Sequence, residues 1–196
     1  MKFLKRNNKK GFTLVEILLV VGFIALAGIG IYTVYTKVQN SNAALTEGKN
    51  LDTLRAGVKN LYGGTQNYTG LTNAVVNDAR ATPDSMRKVN PYSAGDDSIN
   101  NSFGGTVTIK PKKLGSGATD NGFYVSYANV PGSVCAKLVT GAGTGWDQVN
   151  VGSSEFISAT GGNVKDFGKG TINVVSLTGA CAADSGTGVT ITFDSL

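Results

Sequence analysis

Two sets of residues in this 196-residue sequence could do chemistry, and neither is a catalytic constellation. The first is Glu16, the only charge between Phe12 and Tyr35 in the run Phe12-Thr13-Leu14-Val15-Glu16-Ile17-Leu18-Leu19-Val20-Val21 and onward. A carboxylate held at membrane depth costs on the order of 3 kcal/mol, so an acid in such a run reads as a functional residue awaiting a later partner. The second is Cys135 with Cys181, 46 positions apart, in a chain with no histidine. Without histidine a serine triad has no usual base, and the cysteine spacing is far from the C-x-x-C of a metal or redox pair.

Other motifs read as structure. Gly141-Ala142-Gly143-Thr144-Gly145 lacks the G-x-G-x-x-G spacing and reads as a loop. Gly162 to Lys169 misses the phosphate-loop spacing by one residue and is followed by Gly170 where Ser or Thr is required. Asp96-Asp97 and Asp120 show no alternation of oxygen ligands and read as turn residues, so no metal and no cofactor is expected.

The element that must position Glu16 is a helix. Phe12 to Tyr35 is 24 residues, or about 36 Å as an α-helix, enough to cross a hydrocarbon core of roughly 30 Å. Before it stand Lys2, Lys5, Arg6, Lys9 and Lys10 and no acid, a flank that stays cytoplasmic. These five account for the whole formal charge of +5; the remainder carries 13 basic and 13 acidic residues, which removes the electrostatic argument for a nucleic-acid binder. A secretory signal peptide is the competing reading, with Ala25-Leu26-Ala27 as its cleavage site, but the hydrophobicity continues through Ile29, Ile31 and Val34. A head beyond the membrane meets an oxidising compartment, where Cys135 and Cys181 are expected to form one disulfide rather than two buried thiols.

The junction Lys9-Lys10-Gly11-Phe12-Thr13-Leu14-Val15-Glu16 resembles the class III signal of type IV pilins. The resemblance implies cleavage by prepilin peptidase between Gly11 and Phe12, N-methylation of Phe12, and a filament in which the new amine of one subunit meets Glu16 of another. It further implies insertion in the inner membrane with the head in the periplasm, engagement of the pilus assembly machinery, and a homopolymer at the cell surface whose ligand is not specified. Many pilins carry a proline within this helix. Here there is none; Gly22, Gly28 and Gly30 lie in the helix either as weak points or as close-packing positions, and if the helix loosens on assembly Gly28 and Gly30 are where it is expected to do so. Further on, Tyr68-Thr69-Gly70-Leu71, then Pro83, then Phe103-Gly104-Gly105 resembles the type IVb branch, although the leader is short and Phe12 as first mature residue is type IVa-like.

The remaining pattern predicts an α+β fold: a long N-terminal helix packed on a mainly antiparallel sheet, the pilin fold. Its parts are a leader at 1–11, an apolar half-helix at 12–36 and a globular head at 37–196. Val38, Leu45, Leu51, Leu54, Val58 and Leu61 are expected on the buried helix face, with Glu47 on the polar one, and Gly63-Gly64 as the stop. A short helix is expected around Leu71 to Arg80. Strands are expected at Thr106–Ile109, Gly122–Ala128, Trp146–Val151, Thr171–Val175 and Thr187–Phe193, and a helix from Pro131 to Val139 carries Cys135. Lys110-Pro111-Lys112-Lys113 reads as a solvated loop. The function this implies is structural rather than enzymatic: a pilus subunit serving adhesion, aggregation, conjugation or motility. The alternatives are a minor pilin or secretion pseudopilin, or a conventionally secreted or anchored binding protein.

Overall fold

In a computed structural model, residues 12–87, 93–152, 163–183 and 186–196 are described; Gly11 with the leader, and Gly162, lie outside them. Helix α1 runs Leu14–Leu61, and its residues divide between two compact units, 1–39 and 40–196. The second unit holds α2 (Asn73–Asp78), β1 (Val107–Lys112), β2 (Gly122–Val130), α3 (Gly132–Ala142), β3 (Gln148–Gly152), α4 (Val174–Ala182) and β4 (Val189–Ser195). The four strands form one sheet in the order β1-β2-β4-β3, antiparallel throughout. The alternating β-branched and aromatic residues seen in the sequence are what a pleated, half-buried surface requires.

Within the second unit, α1 buries Ala44, Glu47, Leu51, Leu54 and Val58, spaced 3, 4, 3 and 4, which is one helical face. The expected face fails at Val38, Leu45 and Leu61, which are exposed, and at Glu47, which is inside. At 3.6 residues per turn Ala44 and Glu47 fall within about 40° of Leu51 whereas Leu45 lies about 120° away, so the helical period itself carries Glu47 inside, where a loop supplies hydrogen bonds. Glu47 Oε1 accepts the Ser102 backbone N–H at 2.8 Å, and Asn50 Nδ2 donates to Oε2 at 3.4 Å. A buried carboxylate is tolerable only when so satisfied. Burial pushes the Tyr127 hydroxyl well above 10, and the nearby Glu47 charge adds to the shift.

The core between helix and sheet is an aromatic chain. Tyr62 meets Tyr68 at 5.2 Å between centroids, Tyr68 meets Phe123 at 4.9 Å, Phe123 meets Trp146 at 6.0 Å, and Trp146 meets Phe193 at 5.6 Å. These are tilted or edge-on contacts of the kind that ring quadrupoles favour. Arg55 of α1 lies over Trp146, 5.4 Å from its centroid, and its Nε donates to Ser195 Oγ at 3.0 Å. Asp147 Oδ2 accepts from Ser195 Oγ at 3.1 Å and from the Leu196 N–H at 2.9 Å. The last strand is therefore tied both to α1 and to the start of β3.

Three further expectations are corrected. Thr171–Val175 is not a strand: Asn173 accepts the Ser176 N–H through its side chain and so starts α4 at Val174, overriding the β-branched composition. The glycine-rich 141–145 stretch completes α3 and makes a 3-10 turn at Gly143–Gly145 instead of an open loop. The buried Lys165 ammonium caps that turn, donating to the carbonyls of Gly143, Thr144 and Trp146 at 3.3, 3.0 and 2.5 Å. Lys110-Pro111-Lys112 belongs to β1, not to a loop; Pro111 is accommodated because β1 is an edge strand. Between β2 and β4 the register shifts at a bulge where Asn129 has φ 58°, and Gly188 is required opposite it, since a Cβ there would lie 2.5 Å from the Asn129 carbonyl carbon.

Lys112 Nζ donates to Asp194 Oδ2 at 2.9 Å, while Asp194 is fully buried and its Oδ1 has no hydrogen-bond partner among the described residues. Burial raises the Asp194 carboxyl from the ordinary 3.8 to about 6, with Lys112 opposing and Asp147 adding to the shift. Because the native state binds this proton more tightly than the unfolded chain, the contribution is full below pH 4 and is lost as pH rises through about 6. A shift of this size corresponds to about 3 kcal/mol. Asp194→Asn removes the titration: relative to the unaltered protein, the variant is expected to gain about 2–3 kcal/mol between pH 4 and pH 7 in chemical denaturation. A constant difference across that range contradicts the assignment.

Candidate assembly site

Helix α1 begins one residue after Thr13, and the sequence Thr13-Leu14-Val15-Glu16 forms a reciprocal cap. The Glu16 N–H donates to Thr13 Oγ1 at 3.3 Å, while the Thr13 N–H and hydroxyl donate to Glu16 Oε2 at 3.3 and 3.4 Å. Orphan donors of the first turn are thereby satisfied from both sides. The Glu16 carboxylate also sits where the positive end of the helix dipole favours an anion. Sequence reasoning singled out Glu16 as an acid awaiting an intermolecular partner and passed over Thr13, its local one. The T-x-x-E spacing before an apolar run was the available signal.

The first unit leaves its apolar surface uncovered. Every large apolar side chain from Phe12 to Val38 is at least 51% exposed, and Phe12 itself is 82% exposed. This stretch of helix is long and apolar enough to cross a membrane. Gly28 and Gly30 lie inside continuous helix, with open space where a side chain would be. The Thr33 hydroxyl donates back to the Gly30 carbonyl at 2.9 Å, a bond that competes with the regular ladder and favours a bend.

At the other end of the chain Cys135 of α3 and Cys181 of α4 are bonded, with Cα atoms 5.7 Å apart. Closing a 46-residue separation removes unfolded-state entropy worth about 4 kcal/mol. The structure thus leaves the predicted site residues in two separate places: Phe12, Glu16, Gly28 and Gly30 along the apolar helix, and the two cysteines in the head. Among the described residues no cluster of His, Cys, Asp and Glu could hold a metal ion.

Comparison with known proteins accords with this anatomy. The sequence profile of the PilS N-terminal family matches residues 41–195. The chain is 24% identical over 173 residues to the major structural subunit of bundle-forming pilus from Escherichia coli O111:H-, covering 87% of this chain and 86% of that one. It is also 24% identical over 152 residues to the toxin coregulated pilin of Vibrio cholerae, covering 78% of this chain and 66% of that one. Among solved structures, the type IV b pilin from Salmonella typhi superposes with a TM-score of 0.55 at 24% identity, covering 76% of this chain and 96% of the other. TcpA, a type IV pilin from Vibrio cholerae El Tor, does so with a TM-score of 0.55 at 18% identity, covering 81% and 99%. A family profile spanning most of the chain, on a long helix packed against a four-stranded antiparallel sheet, establishes that this chain belongs to the PilS N-terminal family and is a type IVb-like pilin.

Proposed function

We propose that this chain is the structural subunit of a type IV pilus, stored in the inner membrane through residues 12–36 and polymerised by burying that half-helix among copies of itself. The observation that carries the reading is the exposed apolar surface from Phe12 to Val38 in a chain whose head buries a core of its own. A single soluble chain does not sustain such a surface; lipid or sister helices must cover it. Prepilin peptidase cuts between Gly11 and Phe12, the new amine is methylated, and methylation leaves its positive charge in place.

The Thr13–Glu16 cap then has two uses. In the membrane it supplies the carboxylate with local donors at the helix N-terminus, reducing the cost of holding an acid near hydrocarbon. On assembly the charged amine of Phe12 from another subunit meets Glu16. Low dielectric strengthens that attraction while desolvation offsets much of it, so the pair sets register more than it adds stability. Gly28 and Gly30, each weakening a helix by up to about 1 kcal/mol relative to alanine, provide the local looseness that packing of neighbouring helices requires. The head lies in the periplasm before assembly and on the filament surface afterwards; the assembly machinery of the inner membrane drives the transfer.

Electron microscopy and mass spectrometry of filaments sheared from producing cells test this reading. The subunit is expected to begin at methylated Phe12. Glu16→Ala is expected to be made, cleaved and inserted in the membrane while filaments fall below detection. A mature terminus at Gly28, or normal filaments from Glu16→Ala, contradicts it. Replacing Gly28 and Gly30 together by alanine stiffens the helix by about 1–2 kcal/mol; filament yield should drop with membrane insertion unchanged, and an undiminished yield removes the loosening role.

A further inference from the structure

Within the first unit, the apolar run of α1 carries polar groups near both of its ends, and their spacing matches a bilayer. Tyr32 and Tyr35 stand three positions apart on one side of the helix, 69% and 60% exposed. Tyrosine concentrates where hydrocarbon meets headgroups, because its ring is apolar and its hydroxyl is best served by water. Exposed Lys37 follows two positions later, and its long stem lets the ammonium reach toward phosphates. Thr33 and Thr36, interleaved with the tyrosines, donate their hydroxyls to the carbonyls of Gly30 and Thr33 at 2.9 and 3.0 Å, so neither needs water. At the other end α1 starts at Leu14, its first turn closed by Thr13 and Glu16. At 1.5 Å per residue the axis covers about 27 Å from Leu14 to Tyr32 and about 32 Å from Leu14 to Tyr35. A hydrocarbon core is about 30 Å thick, so a helix with these tyrosines at one boundary has its first turn at the other, whether upright or tilted by roughly 20°.

We infer that Tyr32 and Tyr35 anchor the unassembled helix at the outer headgroup boundary and thereby hold Glu16 within one turn of the inner boundary, not at mid-membrane. Glu16 lies two residues past Leu14, about 3 Å along the axis. Helical side chains lean toward the N-terminus, and this one bends back to the Thr13 N–H and hydroxyl, which carries its carboxylate further outward. The cost of inserting an acid is greatest at the helix centre and is relieved where the side chain reaches the interface. The anchor therefore fixes where the acid waits. Lipid is the partner that this pattern fits. Sister helices cover apolar side chains equally well, but only a bilayer presents two polar boundaries about 30 Å apart, the separation that the tyrosines and the first turn share. The inference rests on the membrane-storage half of the function proposed above.

The test places the full-length protein in vesicles of phosphatidylethanolamine and phosphatidylglycerol, dilute enough in lipid to stay unassembled. One cysteine at a time replaces Val15, Leu19, Phe23, Ile31 or Val34 and carries a nitroxide; the chain's own two cysteines are bonded to each other and take no label. Saturation of each label in the presence of oxygen or of a water-soluble nickel chelate reads its depth. The deepest label is expected at Phe23, with Val15 and Val34 close to the headgroups. Tyr32→Leu combined with Tyr35→Leu removes the outer anchor, and the Val34 label is then expected to lose roughly twofold or more of its access to the chelate as the helix slides. A deepest label anywhere but Phe23, or a profile unchanged by the double substitution, overturns the inference and leaves the polymer reading standing. Chelate access along the whole run means that the helix does not enter lipid, and that result overturns membrane storage as well.

Discussion

An apolar half-helix whose large side chains stand exposed among the described residues is the constraint on which the rest depends. From Phe12 to Val38 the side chains are those of a protein interior or a bilayer, yet each large one is more than half exposed. Water does not tolerate that area; in the function proposed above, lipid covers it first and identical helices later. In the proposed assembly, Glu16 is what makes the exchange specific. A purely apolar run would slide among neighbours with little preference, whereas one acid held at a fixed turn by Thr13 gives each helix a reference point.

The head answers a different problem: how to carry the exposed end of such a helix while keeping a small sheet well defined. Apart from the Lys112–Asp194 ion pair, charged side chains of the head do this by satisfying backbone groups. Glu47 holds the Ser102 N–H, Lys165 caps three carbonyls around Gly143–Trp146, and Asp147 holds the terminal N–H of Leu196. Each leaves a costly orphan if removed, so the polar ties specify one arrangement of loops around the aromatic core. Arg55, stacked on Trp146 and bonded to Ser195, links the helix to the last strand in the same way. The disulfide adds a constraint on the unfolded chain that no contact in the folded head reports.

Much of this was legible in the residues. The apolar run with its single acid, the alternation of Gly122–Ala128 and Thr187–Phe193, and the paired cysteines each carry a local physical signal that tertiary structure had no reason to override. What was not legible depends on partners distant in sequence. Glu47 reads as a surface residue until Ser102 is brought beside it, and Lys112 reads as part of a solvated basic cluster until Asp194 arrives from a strand 82 residues later. Thr171–Val175 looks like strand because its β-branched residues say so; the Asn173 side chain, accepting the Ser176 N–H, says otherwise. The Thr13–Glu16 cap, by contrast, is written in the T-x-x-E spacing itself, a local signal that the charge at Glu16 overshadows.

The most direct measurement is a cryo-electron microscopy map of the sheared filament at side-chain resolution. The account predicts residues 12–38 buried among sister helices, with the Glu16 carboxylate within ion-pair distance of the Phe12 amine of a different subunit. A filament whose 12–38 stretch faces solvent, or in which Glu16 keeps only its own Thr13 as partner, would contradict it.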